Sequence, residues 1–422
     1  MPHQVALTLA AHVRPGQVVS LKKTLETMGD GVADPSVVDF GALEGVHFAR
    51  FVVVDETQDL EGRPLSALLL YMSDLDVSRE RHLRQLVDTA GDVLDRLFGH
   101  CEGYPDSPRR DDRLAYLRRS RIKEQAFYAN TVGRTARQIR EEAALRDRLE
   151  DFLDGSPALR GEDPVAIRRA VRSYVERDRS LASALRPPAG LDLPFRVREL
   201  AHLVVVPLVV LALLPLLLLA APVFLVVLRR HERSDDAPRI KPSPDRVQEL
   251  AALEDHLVHN PFTAIGFVKP GRFRRLTLVA VLFAINYTTR HVFDRGNLAG
   301  VKTIHFARWV FLDDQRRVVF ASNYDGSLES YMDDFIDKIS WGLNIVFSNG
   351  YGYPKARWLV FDGARDELAF KDYLRVHQVP TRVWFSAYGR LSSANVANNE
   401  RIRAGLLGEL DAHGSERWVE AL

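Results

Sequence analysis

The sequence contains almost no cysteine and none of the short glycine-rich signatures of nucleotide or hydrolase chemistry. Cys101 is the single cysteine among 422 residues, so no disulfide can form within the chain and a reducing compartment is expected. The motifs G-x-x-x-x-G-K-[ST], G-x-G-x-x-G and G-x-S-x-G are absent, and so is any cysteine pair. A P-loop, a dinucleotide fingerprint, a nucleophile elbow and a zinc ribbon therefore have no support in the sequence.

The chain also lacks an excess of charge of either sign. Lysine and arginine total 57 and aspartate and glutamate 56, which gives a net charge of +1. Arginine-rich stretches such as residues 118–123 are interleaved with acidic helices, so they are interpreted as solvated surfaces and no nucleic-acid partner is expected. The N-terminus has no basic leader region, so no secretory signal is expected.

One long apolar run stands out against this balanced composition. Residues 203–228 carry no charge, and this run is long enough to enter a bilayer. Three prolines inside it favour a bent or re-entrant path, so the preferred interpretation is a monotopic anchor on the cytoplasmic face of the membrane. A straight span is the alternative, and it would require each half of the chain to pair within a homo-oligomer. Arginines flank the run on both sides: Arg196, Arg198, Arg229, Arg230 and Arg233.

The two halves of the sequence resemble each other. The string "HFARFVVVDE" at 47–56 returns as "HFARWVFLDD" at 305–314, and "FGHCEGYP" at 98–105 returns as "FSNGYGYP" at 347–354. The landmarks are offset by 249 to 258 residues, a drift that loop insertions explain. These parallels predict an internal duplication.

Each copy is predicted to have the element order β-α-β-β-α-β. The first helices are expected at 17–29 and 272–290, and the fourth strands at 124–132 and 356–363. This order predicts the α+β class with two tandem ferredoxin-like repeats, each an antiparallel sheet with helices on one face. Because the open faces must be covered, the two repeats are expected to form a pseudo-twofold barrel.

The repeats and the apolar run divide the chain into predicted segments. A basic amphipathic helix at 163–185 is interpreted either as lying on anionic lipid or as a solvated connector. The predicted segments are the first repeat at 1–155, the amphipathic helix and linker at 156–200, the membrane-embedded segment at 201–230, a linker and helix at 231–260, the second repeat at 261–390 and a helical tail at 391–422.

The repeated strands carry candidate functional residues. Alternation along a strand places His305 and Arg308 on opposite faces of the sheet. The arginine is interpreted as structural, paired with an aspartate such as Asp55 or Asp313. His305 is interpreted as a core histidine, with a proton carrier or metal ligand as the alternative. Asp325, in "SNYDGS", either caps the following helix or places a carboxylate at the barrel mouth.

A second candidate site lies in "EDHLVHNPF" at 254–262. His256 and His259 have the i, i+3 spacing that would place two metal ligands on one face of a helix. No fixed third ligand accompanies them, so a core or surface role is the alternative.

The predicted barrel resembles the dimeric α+β barrel superfamily, which includes dye-decolorizing peroxidases, chlorite dismutase-like haem proteins and haem-free monooxygenases and lyases. "SNYDG" is similar to the G-x-x-D-G signature of dye-decolorizing peroxidases, with Ser322 where that signature has glycine. The resemblance implies haem as cofactor and Asp325 as the distal acid. The remaining candidates come from their positions in the second copy: Arg308 and Tyr324 for catalysis, and His305, His377 and Trp309 for haem binding.

These features predict a membrane-associated, peroxidase-like haem oxidoreductase. Its substrate would be a hydrophobic molecule of the lipid phase, such as an unsaturated acyl chain or a quinone, which passes from the bilayer to the barrel without crossing water. A haem-free barrel that binds or transforms a lipid-like small molecule is the first alternative. A membrane-attached scaffold is the second.

Overall fold

The computed structural model describes residues 3–29, 38–188, 190–293 and 296–422 of the chain. Within these residues the protein is α+β, with antiparallel sheets and one long apolar helix. The strands are β1 Val5–His12, β2 Val46–Val54, β3 Thr57–Gln58, β4 Pro64–Leu65, β5 Leu68–Leu75, β6 Arg121–Ile122, β7 Glu124–Ala129, β8 His259–Phe267, β9 Ile304–Leu312, β10 Arg317–Asp325, β11 Ala356–Arg357, β12 Phe361–Asp362 and β13 Val383–Ser386. The helices are α1 Val18–Gly29, α2 Arg79–Phe98, α3 Arg110–Arg119, α4 Ala136–Asp154, α5 Pro164–Arg177, α6 Leu193–Ser234, α7 Pro244–Ala251, α8 Arg272–His291, α9 Leu328–Phe347, α10 Glu367–His377, α11 Ser393–Leu407 and α12 Ala412–Val419.

Two larger sheets share strands between the two halves of the chain. The first has the order β13-β2-β5-β1-β6 and the second has the order β7-β9-β10-β8. Strand β7, from the first half, pairs with β9 of the second half. Strand β13, from the second half, pairs with β2 of the first. Each sheet is therefore completed by an edge strand that the other half contributes.

The prediction of a strand at 356–363 is wrong. This segment forms only the short hairpin of β11 and β12, because Trp358 and Leu359 have positive φ angles of 55° and 61° and turn the chain. Their backbone N–H groups donate to the carboxylate of Glu232 in α6. The fourth strand of the second half is β13 instead, whereas the strand predicted at 124–132 is found as β7.

Helices cover one face of each sheet, and the other faces pack together. Leucines of α1, α2 and α3 share a core with the first sheet, and residues of α8, α9 and α10 share a core with the second. Between the sheets lies a smaller apolar cluster that includes Val52, Leu70, Val310 and Val319. The mutual covering of the two open sheet faces excludes water from this space.

Arg308 of β9 crosses from the second sheet into the first. Its guanidinium donates to the carbonyl oxygen of Leu7 at 2.8 Å and forms an ion pair with Asp74. Both side chains of the pair are only 4% exposed. A buried pair of this kind fixes the position of the two sheets because neither charge has water as an alternative partner.

Arg50 of β2 makes the reciprocal crossing. It donates to the carbonyl oxygens of Phe262 and Ser322 at 2.8 Å each, and to the side-chain oxygen of Asn323. Asn323 in turn donates to Asp74 at 2.9 Å, which links the two arginines into one network. Burial lowers the pKa of Arg50 to about 9, against the opposing effect of Asp74.

The expected partners of these arginines are wrong. Asp55 contacts Lys22, and Asp313 contacts Arg317 at 2.5 Å. Both aspartates follow the last residue of their strands, several residues beyond Arg50 and Arg308. The arginines nevertheless have the structural role that the sequence suggested.

A helical cluster joins two distant parts of the chain. Helices α4 and α5 pack with α11 and α12, and Val171 and Val175 of α5 are fully buried beside Leu149 and Trp418. The amphipathic helix expected at 163–185 forms only over Pro164–Arg177, as α5, and protein covers its apolar side. Its interpretation as a helix that lies on lipid is wrong.

The apolar run belongs to one continuous helix of 42 residues, α6. Pro207, Pro215 and Pro222 lie inside it, and each removes one backbone hydrogen bond without ending the helix. The bent or re-entrant path that the prolines favour stays a prediction. The helix is long and apolar enough to cross a membrane. Residues 207–220 are exposed on every side, without a buried stripe.

We expect the Asp74→Ala substitution to lower the free energy of unfolding by about 3 to 5 kcal/mol, because it removes the carboxylate that pairs with buried Arg308 and, through Asn323, connects to buried Arg50. Urea unfolding in mild detergent, followed by tryptophan fluorescence, measures the change. The exposed ion pair of Asp88 with Arg110 supplies the matched control, and Asp88→Ala should leave the unfolding midpoint almost unchanged. Equal effects of the two substitutions would contradict the assigned role of Asp74.

Candidate functional site

Three of the candidate residues meet where β8, β9 and β10 lie side by side. His305 Nε2 lies 2.6 Å from Asp325 Oδ1, and His259 Nε2 lies 3.7 Å from the same oxygen. The ligand-capable atoms of the three side chains are all within 4.8 Å of one another. By composition and spacing this cluster is a candidate for a metal site or for proton transfer.

Asp325 is held by the start of helix α11 as well as by His305. Its Oδ2 accepts hydrogen bonds from the backbone N–H of Ser393 at 2.8 Å and from the Ser393 hydroxyl at 2.7 Å. Burial favours the protonated carboxyl, but His305 and these hydrogen bonds outweigh it and lower the pKa of Asp325. The carboxylate is therefore ionised at neutral pH and both of its oxygens are engaged.

The first half of the chain contains a corresponding pair. His47 Nε2 lies 3.1 Å from Asp76 Oδ2, and the same oxygen accepts from the backbone N–H of Ala136, the first residue of α4, at 2.6 Å. The first strand-end histidine therefore faces an aspartate that caps a helix, as His305 does. The expectation that Asp325 caps the helix that follows it is wrong, because Ser327 caps α9 and Asp325 instead accepts hydrogen bonds from Ser393 at the start of α11. The correspondence with Asp76 nevertheless favours a capping role over a catalytic one.

Tyr388 links the two histidine–aspartate pairs. Its hydroxyl lies 2.6 Å from His47 Nδ1, and its ring lies edge-on to His305 and His259, at centroid distances of 5.3 and 5.9 Å. Burial raises the pKa of Tyr388 well above its usual value, so the hydroxyl stays protonated and shares a hydrogen bond with His47 Nδ1. Sequence analysis did not single out Tyr388, because its contacts with His47 and His305 join residues that are far apart in the chain.

His259 uses both ring nitrogens within the protein. Nε2 lies 2.6 Å from the carbonyl oxygen of Leu391, which can only accept, so Nε2 carries the proton. Nδ1 then accepts from the Ser386 hydroxyl at 3.2 Å. Burial, together with His305, lowers the pKa of His259 to about 4. The histidine is neutral and has no ring nitrogen left for a metal ion.

A glutamine makes the corresponding contact in the first half. Gln4 Nε2 donates to the carbonyl oxygen of Arg134, which precedes the cap of α4 as Leu391 precedes the cap of α11. Glutamine supplies an N–H donor and is a poor metal ligand. The shared contact indicates that His259 ties down a loop.

The predicted pair of metal-binding histidines does not form. His256 is exposed and lies 2.9 Å from the carbonyl oxygen of Ala252, whereas His259 is buried and begins β8. Helix α7 ends at Ala251, so the helical spacing assumed for the two residues does not exist.

The other candidates from the sequence lie elsewhere. Arg308 lies between the sheets, and Tyr324 is buried and stacked on Tyr331 with ring centroids 4.1 Å apart. Trp309 is packed on Phe320 in the core of the second sheet. His377 lies in α10, where Nδ1 is 2.8 Å from the backbone carbonyl of Tyr373.

The residues around Asp325 do not fit haem. A distal acid needs an oxygen that faces open space above the iron, but both oxygens of Asp325 are bound by protein groups. Two cavities, of about 290 and 830 Å³, are well formed, and neither is lined by His305 or Asp325. His377 lines the smaller one, whose volume is at the lower limit for drug-sized ligands.

The larger cavity lies at the start of α6 and was not predicted. Its wall combines the edge of β7, the end of α8 and the first turns of α6. The basic stretch at 118–123, which the sequence analysis treated as a solvated surface, contributes Arg121 and Lys123. The basic stretch is visible in the sequence, but only the fold shows that it lies beside α6.

Comparison with known proteins gives no match. No protein-family model matches the chain, and no curated protein or solved structure matches it significantly. The resemblance suggested by the sequence therefore stays a prediction, and function has to be inferred from the contacts of this chain.

We expect His259→Gln to preserve stability at pH 7.5 and to remove a pH dependence, because Gln4 makes the same contact in the other half. Between about pH 6.5 and pH 4 the unfolded chain binds a proton that folded His259 excludes. Acidification across this window should therefore lower the free energy of unfolding by about 3 kcal/mol in the parent protein and less in the variant.

Denaturant unfolding at a series of pH values measures this difference. His256→Gln is the matched control, and it should keep the pH dependence of the parent protein because His256 is exposed. A large loss of stability at pH 7.5 in His259→Gln would contradict the loop-fixing role. Loss of a stoichiometric metal ion in that variant would establish the metal site instead.

Proposed function

We propose that this chain is a monotopic membrane protein that binds or transforms a lipid-like small molecule taken from one leaflet, without haem. The observation that carries the proposal is that the apolar helix α6 is attached to one folded body at both of its ends while its middle is bare. The remaining support comes from the packing of the two sheets and from the cavity beside α6.

The N-terminal end of α6 is attached to the end of α8. Glu199 forms an ion pair with Arg290, and the Tyr287 hydroxyl donates to the carbonyl oxygen of Leu203 at 3.1 Å. Phe195 stacks on His3, with ring centroids 4.1 Å apart. These contacts involve the first ten or so residues of α6 and hold them against the body.

The C-terminal end of α6 is attached near the start of α8. His231 stacks on Phe273 with ring centroids 4.9 Å apart, and Asp235, which follows the helix, forms an ion pair with Arg274 at 2.5 Å. Glu232 accepts the two backbone hydrogen bonds from Trp358 and Leu359. Both ends of one continuous helix are thus fixed to the same molecule.

This double attachment favours a helix that lies in one leaflet. A helix that crosses the bilayer has ends separated by about 30 Å of hydrocarbon, which the charged surface of the body cannot enter. The segment at 207–220, which is exposed on every side, would instead enter one leaflet from this face and return to it, with its leucines in contact with lipid. The arginines at both ends and the single buried cysteine favour the cytoplasmic face.

We further propose that the two sheets are halves of a pseudo-twofold barrel formed by tandem ferredoxin-like repeats. Three sets of matching contacts support this: the exchanged edge strands, the reciprocal crossings of Arg50 and Arg308, and the two histidine–aspartate pairs. A barrel requires both repeats on the same side of the membrane. This requirement agrees with a monotopic anchor and disagrees with a single crossing.

We expect both halves of the protein to be accessible from the same face of the membrane. Asp92→Cys in the first half and Glu367→Cys in the second place thiols at exposed positions, in a Cys101→Ser background. Burial raises the pKa of Cys101 to about 12, so this native thiol would contribute little labelling even if retained. A membrane-impermeant maleimide added to sealed vesicles of one orientation should label both sites or neither. Labelling of the two sites in opposite orientations would establish a crossing helix.

We expect the protein purified in mild detergent from cells supplied with a haem precursor to show no Soret band. The physical reason is that Asp325 and its neighbours leave no open space for a porphyrin. Visible spectra of the oxidised and reduced protein make the measurement. A Soret band at near-stoichiometric intensity would restore the haem hypothesis, and its loss in His377→Ala but not in His256→Ala would identify the axial ligand.

A further inference from the structure

The larger cavity is rich in positive charge. Its volume is about 830 Å³, within the usual range for ligand sites. Six arginine and lysine side chains line it, against two carboxylates. The charged lining residues are Arg79, Arg121, Lys123, Arg196, Arg198 and Arg290, with Glu124 and Glu199. We call this site the cationic cavity.

Both carboxylates of the cationic cavity are already engaged by arginines. Glu199 binds Arg290, and Glu124 lies 3.6 Å from Arg79. Within the part of the chain that the structure describes, Arg121 and Lys123 form no ion pair. The cavity therefore holds more positive charge than its own carboxylates can balance.

Crowding of these cations affects the titration of their neighbours. The pKa of His3 is lowered by burial and further by Arg198. The pKa of Arg79 is lowered by burial and further by Arg121 and Arg198, with Glu124 opposing. A bound anion would relieve this repulsion, so the geometry and the electrostatics point to the same class of ligand.

The same cavity has an apolar wall that continues into the membrane anchor. Phe195, Leu200 and Leu203 of α6 line it, together with Phe127 of β7. Leu203 is also the first residue of the uncharged run that the exposed segment 207–220 continues. An anionic group in the cavity is therefore adjacent to a surface suited to hydrocarbon chains, which is the arrangement an amphiphile needs.

We propose that the cationic cavity binds the phosphate headgroup of an anionic phospholipid, with the acyl chains along α6. This inference rests on the proposed function, because it names the class of molecule that the membrane-attached protein takes from the leaflet. The arginines supply charge-assisted hydrogen bonds to phosphate oxygens, and Lys123 supplies a further positive charge. The apolar wall offers contacts to acyl chains that a free phosphate ion cannot make, so a lipid should bind more tightly than phosphate.

The test uses the full chain in mild detergent after delipidation. Three probes are titrated by isothermal calorimetry below their micellar concentrations: dihexanoyl phosphatidic acid, dihexanoyl phosphatidylcholine and inorganic phosphate. Dihexanoyl phosphatidic acid should bind at least tenfold more tightly than either of the others. Its affinity should fall as salt is raised, because part of the attraction is electrostatic.

The double variant Arg121→Gln/Lys123→Gln should weaken this binding roughly 30-fold, from the usual contribution of two basic side chains near anionic lipid. The double variant Lys355→Gln/Arg365→Gln removes the same charge from exposed positions outside the cavity and should bind like the parent. Circular dichroism of both variants checks that they fold.

Other results would overturn the inference. Equal binding of the two lipids would overturn the anionic headgroup and leave the proposed lipid-binding function standing. Phosphate binding as tight as that of dihexanoyl phosphatidic acid would assign an anion site that is not a lipid site. Equal losses in both double variants would assign the effect to net charge. The labelling experiment tests the membrane arrangement separately, so failure of one does not decide the other.

Discussion

The two sheets depend on the exchange of Arg50 and Arg308 across the space between them. Each guanidinium extends from its own sheet and donates hydrogen bonds to backbone carbonyl oxygens of the other sheet. A shift of either sheet would therefore leave buried N–H donors without an acceptor. Asp74 is the carboxylate that pairs with Arg308 and, through Asn323, connects to Arg50. Apolar side chains alone would permit many relative positions, because hydrophobic burial has no direction. The arginine network selects one of them.

That network also determines what the histidine–aspartate pairs can do. The space between the sheets is filled by side chains, so His47 and His305 lie at its edge. Their aspartate partners contact the first residues of α4 and α11, the helices that follow the exchanged edge strands β7 and β13. An aspartate at each strand end then balances the exposed N–H groups of a helix start. The motif that resembles a peroxidase signature thus stands in a place where capping alone explains the carboxylate at position 325.

Sequence analysis predicted most elements because their signals are local. The HFAR strands, the first helices of both halves and α2 and α9 follow from periodicity and from Pro-Gly turns. The fourth strand of the second half was misplaced, since residues 356–363 have a strand-like composition and only long-range pairing with β2 selects 383–386. The predicted partners of the arginines, Asp55 and Asp313, were wrong for the same reason. The pairing of Arg308 with Asp74 spans 234 residues, and no local pattern records it.

The cationic cavity shows why the role of the basic stretch at 118–123 could not be predicted from its composition alone. Taken along the chain, residues 118–123 are a basic stretch between acidic helices, and a solvated surface is the economical interpretation. The fold brings this stretch beside Arg196 and Arg198, which precede the apolar run. In the proposed monotopic arrangement, the same contacts that hold the two ends of α6 to the body would also hold these cations at the lipid boundary. Anchoring and recognition of an anionic headgroup would then share one set of contacts.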